Sequence, residues 1–75
     1  MDMQLSASRP TPVVVNGEPA ATTAATLAEL LSELGYPVGQ VATALNGEFV
    51  SRQARAETRL TAGDKIEIVA PRQGG

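Results

Sequence analysis

Seventy-five residues make one domain with a thin stability margin, because so short a chain buries a smaller fraction of its surface than a large one. The chain has neither cysteine nor histidine, which removes disulfides, thiolate zinc sites, a cysteine nucleophile, the usual neutral-pH base and the commonest metal ligand. A formal net charge of −2 and only two aromatic residues, Tyr36 and Phe49, argue against a nucleic-acid binder, an acidic-membrane binder or a base-stacking platform.

The first residues, Met1 to Pro12, are polar and broken by Pro10 and Pro12. They read as a mobile N-terminal extension, joining the first strand only at its end. Nothing in them has the charged start and apolar stretch of a signal peptide, and no later run approaches a membrane span. A soluble, cytoplasmic protein is the expectation.

Val13-Val14-Val15 is a β-branched strand that ends at Asn16-Gly17. Asn-Gly accepts positive φ at both positions and is the strongest short hairpin signal. Glu18 to about Thr23 is the predicted return strand, with Pro19 placing it at a sheet edge.

One helix follows. Thr26 fits the N-cap, with Glu29 three positions on as a capping box. Leu27, Leu30, Leu31 and Leu34 form a two-turn apolar stripe at i, i+3, i+4, i+7. Gly35 suits the helix end, and Pro37 stops it resuming.

Val41 to Leu45 is predicted as a strand leading to a second Asn-Gly, Asn46-Gly47, and a short return, Glu48 to Val50. Ser51 to Glu57 has no clear period and reads as a loop or a single tight turn. Arg52, Arg55 and Arg59 fall within it or close by, and interleaved with Glu57 they read as a solvated polar edge. After the turn Ala62-Gly63-Asp64, Lys65 to Val69 is the last strand, with Ile66 and Ile68 on one face and Glu67 on the other.

The fold class is α+β. A mixed four- to five-stranded sheet carries one main helix on one face, because each apolar face needs a partner layer. The helix supplies a crossover, so the first and last strands are expected to pair in parallel. That is a β-grasp arrangement, the ubiquitin-like roll. The expected organisation is an extension over 1–12, the β-grasp domain over 13–70 and a flexible tail over 71–75. The candidate core is Val13, Val14, Val15, Leu27, Leu30, Leu31, Leu34, Val41, Leu45, Val50, Leu60, Ile66 and Ile68.

The tail ends in Gly74-Gly75. Two glycines remove every Cβ near the last carboxylate and suit entry into a narrow slot. A bare α-carboxylate there suits a partner enzyme that activates it; the plain alternative is a frayed end.

The chain resembles the ThiS sulfur-carrier family. The likeness runs through Val13 to Gly17, Thr26 to Leu31, Val41 to Val50, Arg52, Gly63 to Val69 and Gln73-Gly74-Gly75. It covers everything from about Val13 onward. The ordered set is the specific signal, since each piece alone is common. The extra residues 1–12 and Ser51, where many relatives have proline, depart from the pattern. The resemblance implies that an E1-like, ThiF-like adenylyltransferase uses ATP to adenylate the Gly75 carboxylate. A sulfur donor such as a cysteine desulfurase then supplies sulfur for a thiocarboxylate. A ThiG-like thiazole synthase takes that sulfur in thiamine biosynthesis. The chain is then a co-substrate and not an enzyme, with no metal and no cofactor of its own.

Around Gly75, the residues Gly74, Gln73 and Arg72 are expected to thread into the activating enzyme. Arg72 either pairs with an acidic groove there or is simply solvated. Pro71 either stiffens the exit from the sheet or just ends the strand. Docking is expected on the exposed sheet face and last strand, through Val69 and Phe49. Phe49 has two readings, a partner anchor or a core residue. The rival functions are a carrier for molybdopterin or secondary-metabolite synthesis, a ubiquitin-like modifier, and a noncovalent β-grasp module. Asp64 and Glu67, a turn residue and a strand-surface residue, need no acid–base role.

Overall fold

The structure, a computed structural model, describes residues 9–70. β1 (Thr11–Val15) and β2 (Glu18–Thr22) pair antiparallel from Thr11↔Thr22 to Val15↔Glu18. Asn16 and Gly17 make the turn with φ of 51° and 84°, the type I′ signature that suits right-handed strand twist. β1 starts two residues before the predicted Val13. Pro12 is tolerated there because pairing of β1 with the last strand starts only at Val14. Pro19 lies in an edge strand, as its missing donor requires.

The helix α1 spans Leu27–Leu34. Thr26 Oγ1 accepts the Glu29 N–H at 3.2 Å, and Glu29 Oε1 accepts the Ala25 N–H at 2.8 Å. The capping box therefore reaches back one residue further than its usual form. Gly35, at φ 84°, ends the helix, and the Tyr36 N–H closes onto Leu31 O at 3.0 Å. Leu27, Leu30 and Leu31 are buried. Leu34, the fourth leucine of the predicted stripe, is 46% exposed. It sits in the last turn and borders a shallow groove with Tyr36 and the β1–β2 hairpin.

A 3₁₀ turn, Val38–Gln40, leads into β3 (Ala42–Leu45). The second Asn-Gly turn, with φ of 51° and 87°, carries the chain into β4 (Glu48–Val50). Arg52–Glu57 is a six-residue 3₁₀ helix where a loop or single turn was predicted, capped by Ser51 Oγ accepting the Ala54 N–H at 3.3 Å. β5 is Lys65–Val69, as predicted.

The sheet order is β2-β1-β5-β3-β4. β5 lies at its centre, parallel to β1 and antiparallel to β3. The helix crossover makes the parallel pair possible, since a hairpin joins only antiparallel neighbours. The core is Val13, Leu27, Leu30, Leu31, Ile66 and Ile68, surrounded by partly buried residues including Val15, Val41, Leu45, Val50 and Leu60. Val14 alternates to the opposite face and stands beside Lys65, outside this cluster.

The arginine cluster is not a uniform solvated edge. Arg52 and Arg59 are exposed, but Arg55 is only 3% exposed. Its Nε donates to Thr43 Oγ1 at 3.1 Å, Nη1 to Val38 O at 2.9 Å and Nη2 to Val41 O at 2.7 Å. Thr43 Oγ1 in turn donates to Val50 O at 2.9 Å. One guanidinium thus ties the 3₁₀ helix to β3 and to the turn before it. The expectation of solvation failed because the donors of arginine can be met by carbonyls and a hydroxyl that lie far off in sequence.

Candidate functional site at the open sheet face and the end of the central strand

Strand alternation sorts β5 into two sets. Ile66 and Ile68 face α1, while Lys65, Glu67 and Val69 face the side without a helix. Cross-strand register adds neighbours to that second face. Phe49, Ala44 and Glu67 form one row across β4, β3 and β5, and Ala42 with Val69 forms the next. Phe49 is 73% exposed and Val69 63% exposed. The core reading of Phe49 is thereby removed, and both candidate docking residues share one open face.

Val69 also borders a shallow apolar groove with Gly39, Gln40, Val41 and Ala42. Arg52 places its guanidinium over Gly39 at the margin of that groove. The residues predicted to thread and react, Arg72, Gln73, Gly74 and Gly75, lie outside the described residues, as does Pro71. In sequence they follow Ala70, one residue beyond the end of β5 at Val69.

Both turn asparagines do more than accept positive φ. Asn16 Oδ1 accepts the Ile68 N–H at 2.8 Å, and its Nδ2 donates to Ile68 O at 3.2 Å. Asn46 Oδ1 accepts the Lys65 N–H at 2.9 Å, and its Nδ2 donates to Asp64 Oδ1 at 3.0 Å. The central strand is held at both ends by side-chain amides from the two hairpins. Reading these asparagines as turn formers missed this, and their only signal is the choice of Asn twice where other turn residues also fit.

Asp64 is buried and committed to its turn. Its carboxylate accepts the Thr61 N–H at 2.8 Å, which holds its pKa below the ordinary 3.8; the Asn46 amide adds to this, burial opposes it and the Thr61 hydroxyl assists. Glu67 stands on the open face. The two carboxylates make no acid–base pair. Among the described residues no helix is long and apolar enough to cross a membrane.

A mixed sheet with parallel first and last strands at its middle and one helix across one face is a β-grasp, the ubiquitin-like roll. Comparison with known proteins narrows the class. The ThiS family model matches residues 13–75. The sulfur carrier protein ThiS of Thermus thermophilus is 40% identical over 63 residues, covering 84% of this chain and 98% of that protein. The crystal structure of a thiamine biosynthesis protein (ThiS) from Geobacter metallireducens has a TM-score of 0.73 and 33% identity, covering 87% of this chain and all of that one. A solution structure of a thiamine biosynthesis protein from the same organism gives the same score and identity, with 88% of its chain covered. The chain belongs to the ThiS family, the family of these sulfur carriers.

Proposed function

We propose that this protein is a sulfur carrier for thiazole formation in thiamine biosynthesis, and that the α-carboxylate of Gly75 is its one reacting group. The observation that carries this reading is the family match, which covers residues 13–75. The relatives named above as a sulfur carrier and as thiamine biosynthesis proteins support the pathway.

The chemistry follows from the carboxylate. Its charge repels nucleophiles, so it must first gain a leaving group. An E1-like adenylyltransferase of ThiF type joins the carboxylate oxygen to the α-phosphorus of ATP and releases pyrophosphate. The terminal sulfur of a persulfide on a donor such as a cysteine desulfurase then attacks the acyl carbon, a C–S bond forms, and AMP departs with the bonding pair. A thiol next cleaves the S–S bond of the acyl disulfide, is itself oxidised to a disulfide with the donor, and leaves the thiocarboxylate. The resulting thiocarboxylate passes its sulfur to a ThiG-type thiazole synthase. The carrier itself contributes an acyl carbon and a docking surface, so the protein is a co-substrate.

Gly74, Gln73 and Arg72 thread into the activating enzyme ahead of the reacting carbonyl. Gly74 leaves the slot free of a Cβ, and Arg72 supplies a charge for an acidic lining. Phe49 and Val69 dock the partners. Their exposure on one face supports this, since aromatic residues are enriched among interface anchors. Five residues beyond Ala70 reach at most about 18 Å, so the end of β5 has to dock close to the adenylation centre.

Intact mass spectrometry after incubation with ATP, the activating enzyme and a sulfur donor tests the proposal. Replacement of one oxygen by sulfur adds about 16 Da. No mass gain with an enzyme that acts on other family members refutes it.

A further inference from the structure

We infer that Asn16 is a positioning residue for sulfur transfer, because its side-chain amide replaces a missing strand partner for Ile68 and so fixes where the C-terminal residues leave the sheet. The inference rests on the reading of Gly75 as the reacting group.

β1 ends at Val15, paired with Ile66, and the chain then turns away toward β2. β5 continues to Val69. Polar groups of alternate strand residues point to the same neighbour. The Asn16 backbone N–H donates to Ile66 O at 2.8 Å. Ile68, two residues on, points its N–H and C=O the same way, past the last residue of β1. The Asn16 side chain meets both groups. A carboxamide carries the donor and acceptor of a peptide group, so it extends the ladder by one position without extending the strand. The turn alone does not demand this residue. Glycine also accepts the φ of 51°, and aspartate tolerates it, yet glycine offers Ile68 nothing and aspartate lacks the donor.

Asn46 is an internal control. It has the same φ and the same Asn-Gly setting, but it holds Lys65 and Asp64 at the opposite end of β5. Ile68 lies two residues before Ala70, where the described chain ends, and seven before Gly75. Loosening Asn16 frees the exit of the reacting segment, whereas loosening Asn46 frees the far end of the strand.

The test compares Asn16→Gly, Asn16→Asp and Asn46→Gly in the full chain. Ile68 amide exchange should be about 10-fold faster in Asn16→Gly and near wild type in Asn46→Gly. ATP–pyrophosphate exchange with the cognate E1-like adenylyltransferase should show the KM for Asn16→Gly raised about 5-fold, with kcat changed less than about 2-fold. Asn16→Asp, which keeps the acceptor for the Ile68 N–H, should fall between wild type and Asn16→Gly in both readouts. Asn46→Gly should lower the melting temperature and leave KM unchanged. Wild-type Ile68 exchange in Asn16→Gly overturns the inference. Equal KM for the two glycine variants, both folded at the assay temperature, does so as well. A wild-type chain that the enzyme never activates overturns the carrier reading, and this inference falls with it. An active wild type with indistinguishable glycine variants removes only the role of Asn16.

Discussion

Replacing Arg55 with alanine should be among the most damaging single changes in this domain. Arg55 is 3% exposed, and its guanidinium makes three hydrogen bonds, at 3.1, 2.9 and 2.7 Å, to Thr43 Oγ1, Val38 O and Val41 O. Alanine leaves two carbonyls short of a donor, leaves Thr43 Oγ1 without one, and opens a cavity. A buried polar group left unsatisfied costs about 1–3 kcal/mol, and truncating a large buried side chain to alanine about 2–5 kcal/mol. These effects overlap, so about 3–4 kcal/mol is the expected loss. Arg55→Met keeps most of the stem's packing and should lose about 2–3 kcal/mol, because only the hydrogen bonds disappear. A domain of this size has about 5 kcal/mol to lose, so Arg55→Ala should be partly unfolded at 37 °C. Urea unfolding followed by circular dichroism measures both variants, with exposed Arg52→Ala and Arg59→Ala as controls expected within about 0.5 kcal/mol of wild type. A loss below about 1 kcal/mol for Arg55→Ala, with unchanged denaturant dependence, would refute the view that this side chain organises residues 38–43.

The remaining predictions concern pH, the C-terminal glycines and docking. Asp64 has a depressed folded-state pKa, led by the Thr61 N–H, so the unfolded chain binds its proton more readily. Its stabilisation is therefore fully present well above pH 3.8 and lost as pH falls through the lower folded value. Melting curves should show the wild-type advantage over Asp64→Asn constant from pH 6 to 8, as an expectation of about zero slope, and shrinking below about pH 4; a constant advantage down to about pH 2 contradicts it. Gly74→Ala should slow thiocarboxylate formation, read by intact mass, without moving the melting temperature; an unchanged rate defeats the threading argument. Phe49→Ala and Val69→Ala should raise the activating enzyme's KM for the carrier and change stability by less than about 0.5 kcal/mol, since both side chains are exposed. Unaltered KM in the double variant removes this face from docking.

Much of the fold was legible because its signals are local. Asn16-Gly17 and Asn46-Gly47 announced two hairpins through the sign of φ, and both turns have it. Thr26 and Gly35 bracketed the helix through end groups that need partners within one turn. The alternation of Ile66, Glu67 and Ile68 marked the last strand and its two faces. The site was legible only in part. Phe49 looked equally suited to core and surface, because one aromatic at a hairpin arm does not say which face carries the helix.

The chain's own residues determined the order of the main elements and the turns and caps that bound them, since these are set by neighbours a few positions apart. Tertiary structure alone decided what meets across 12 to 52 positions. It drew Arg55 inward toward Thr43, left Leu34 at the rim, aimed two turn asparagines at the central strand and put Phe49 beside Val69 on the open face. These outcomes depend on which strands become neighbours and which polar groups are left over when they pair. That is a property of the assembled sheet and not of any short stretch within it.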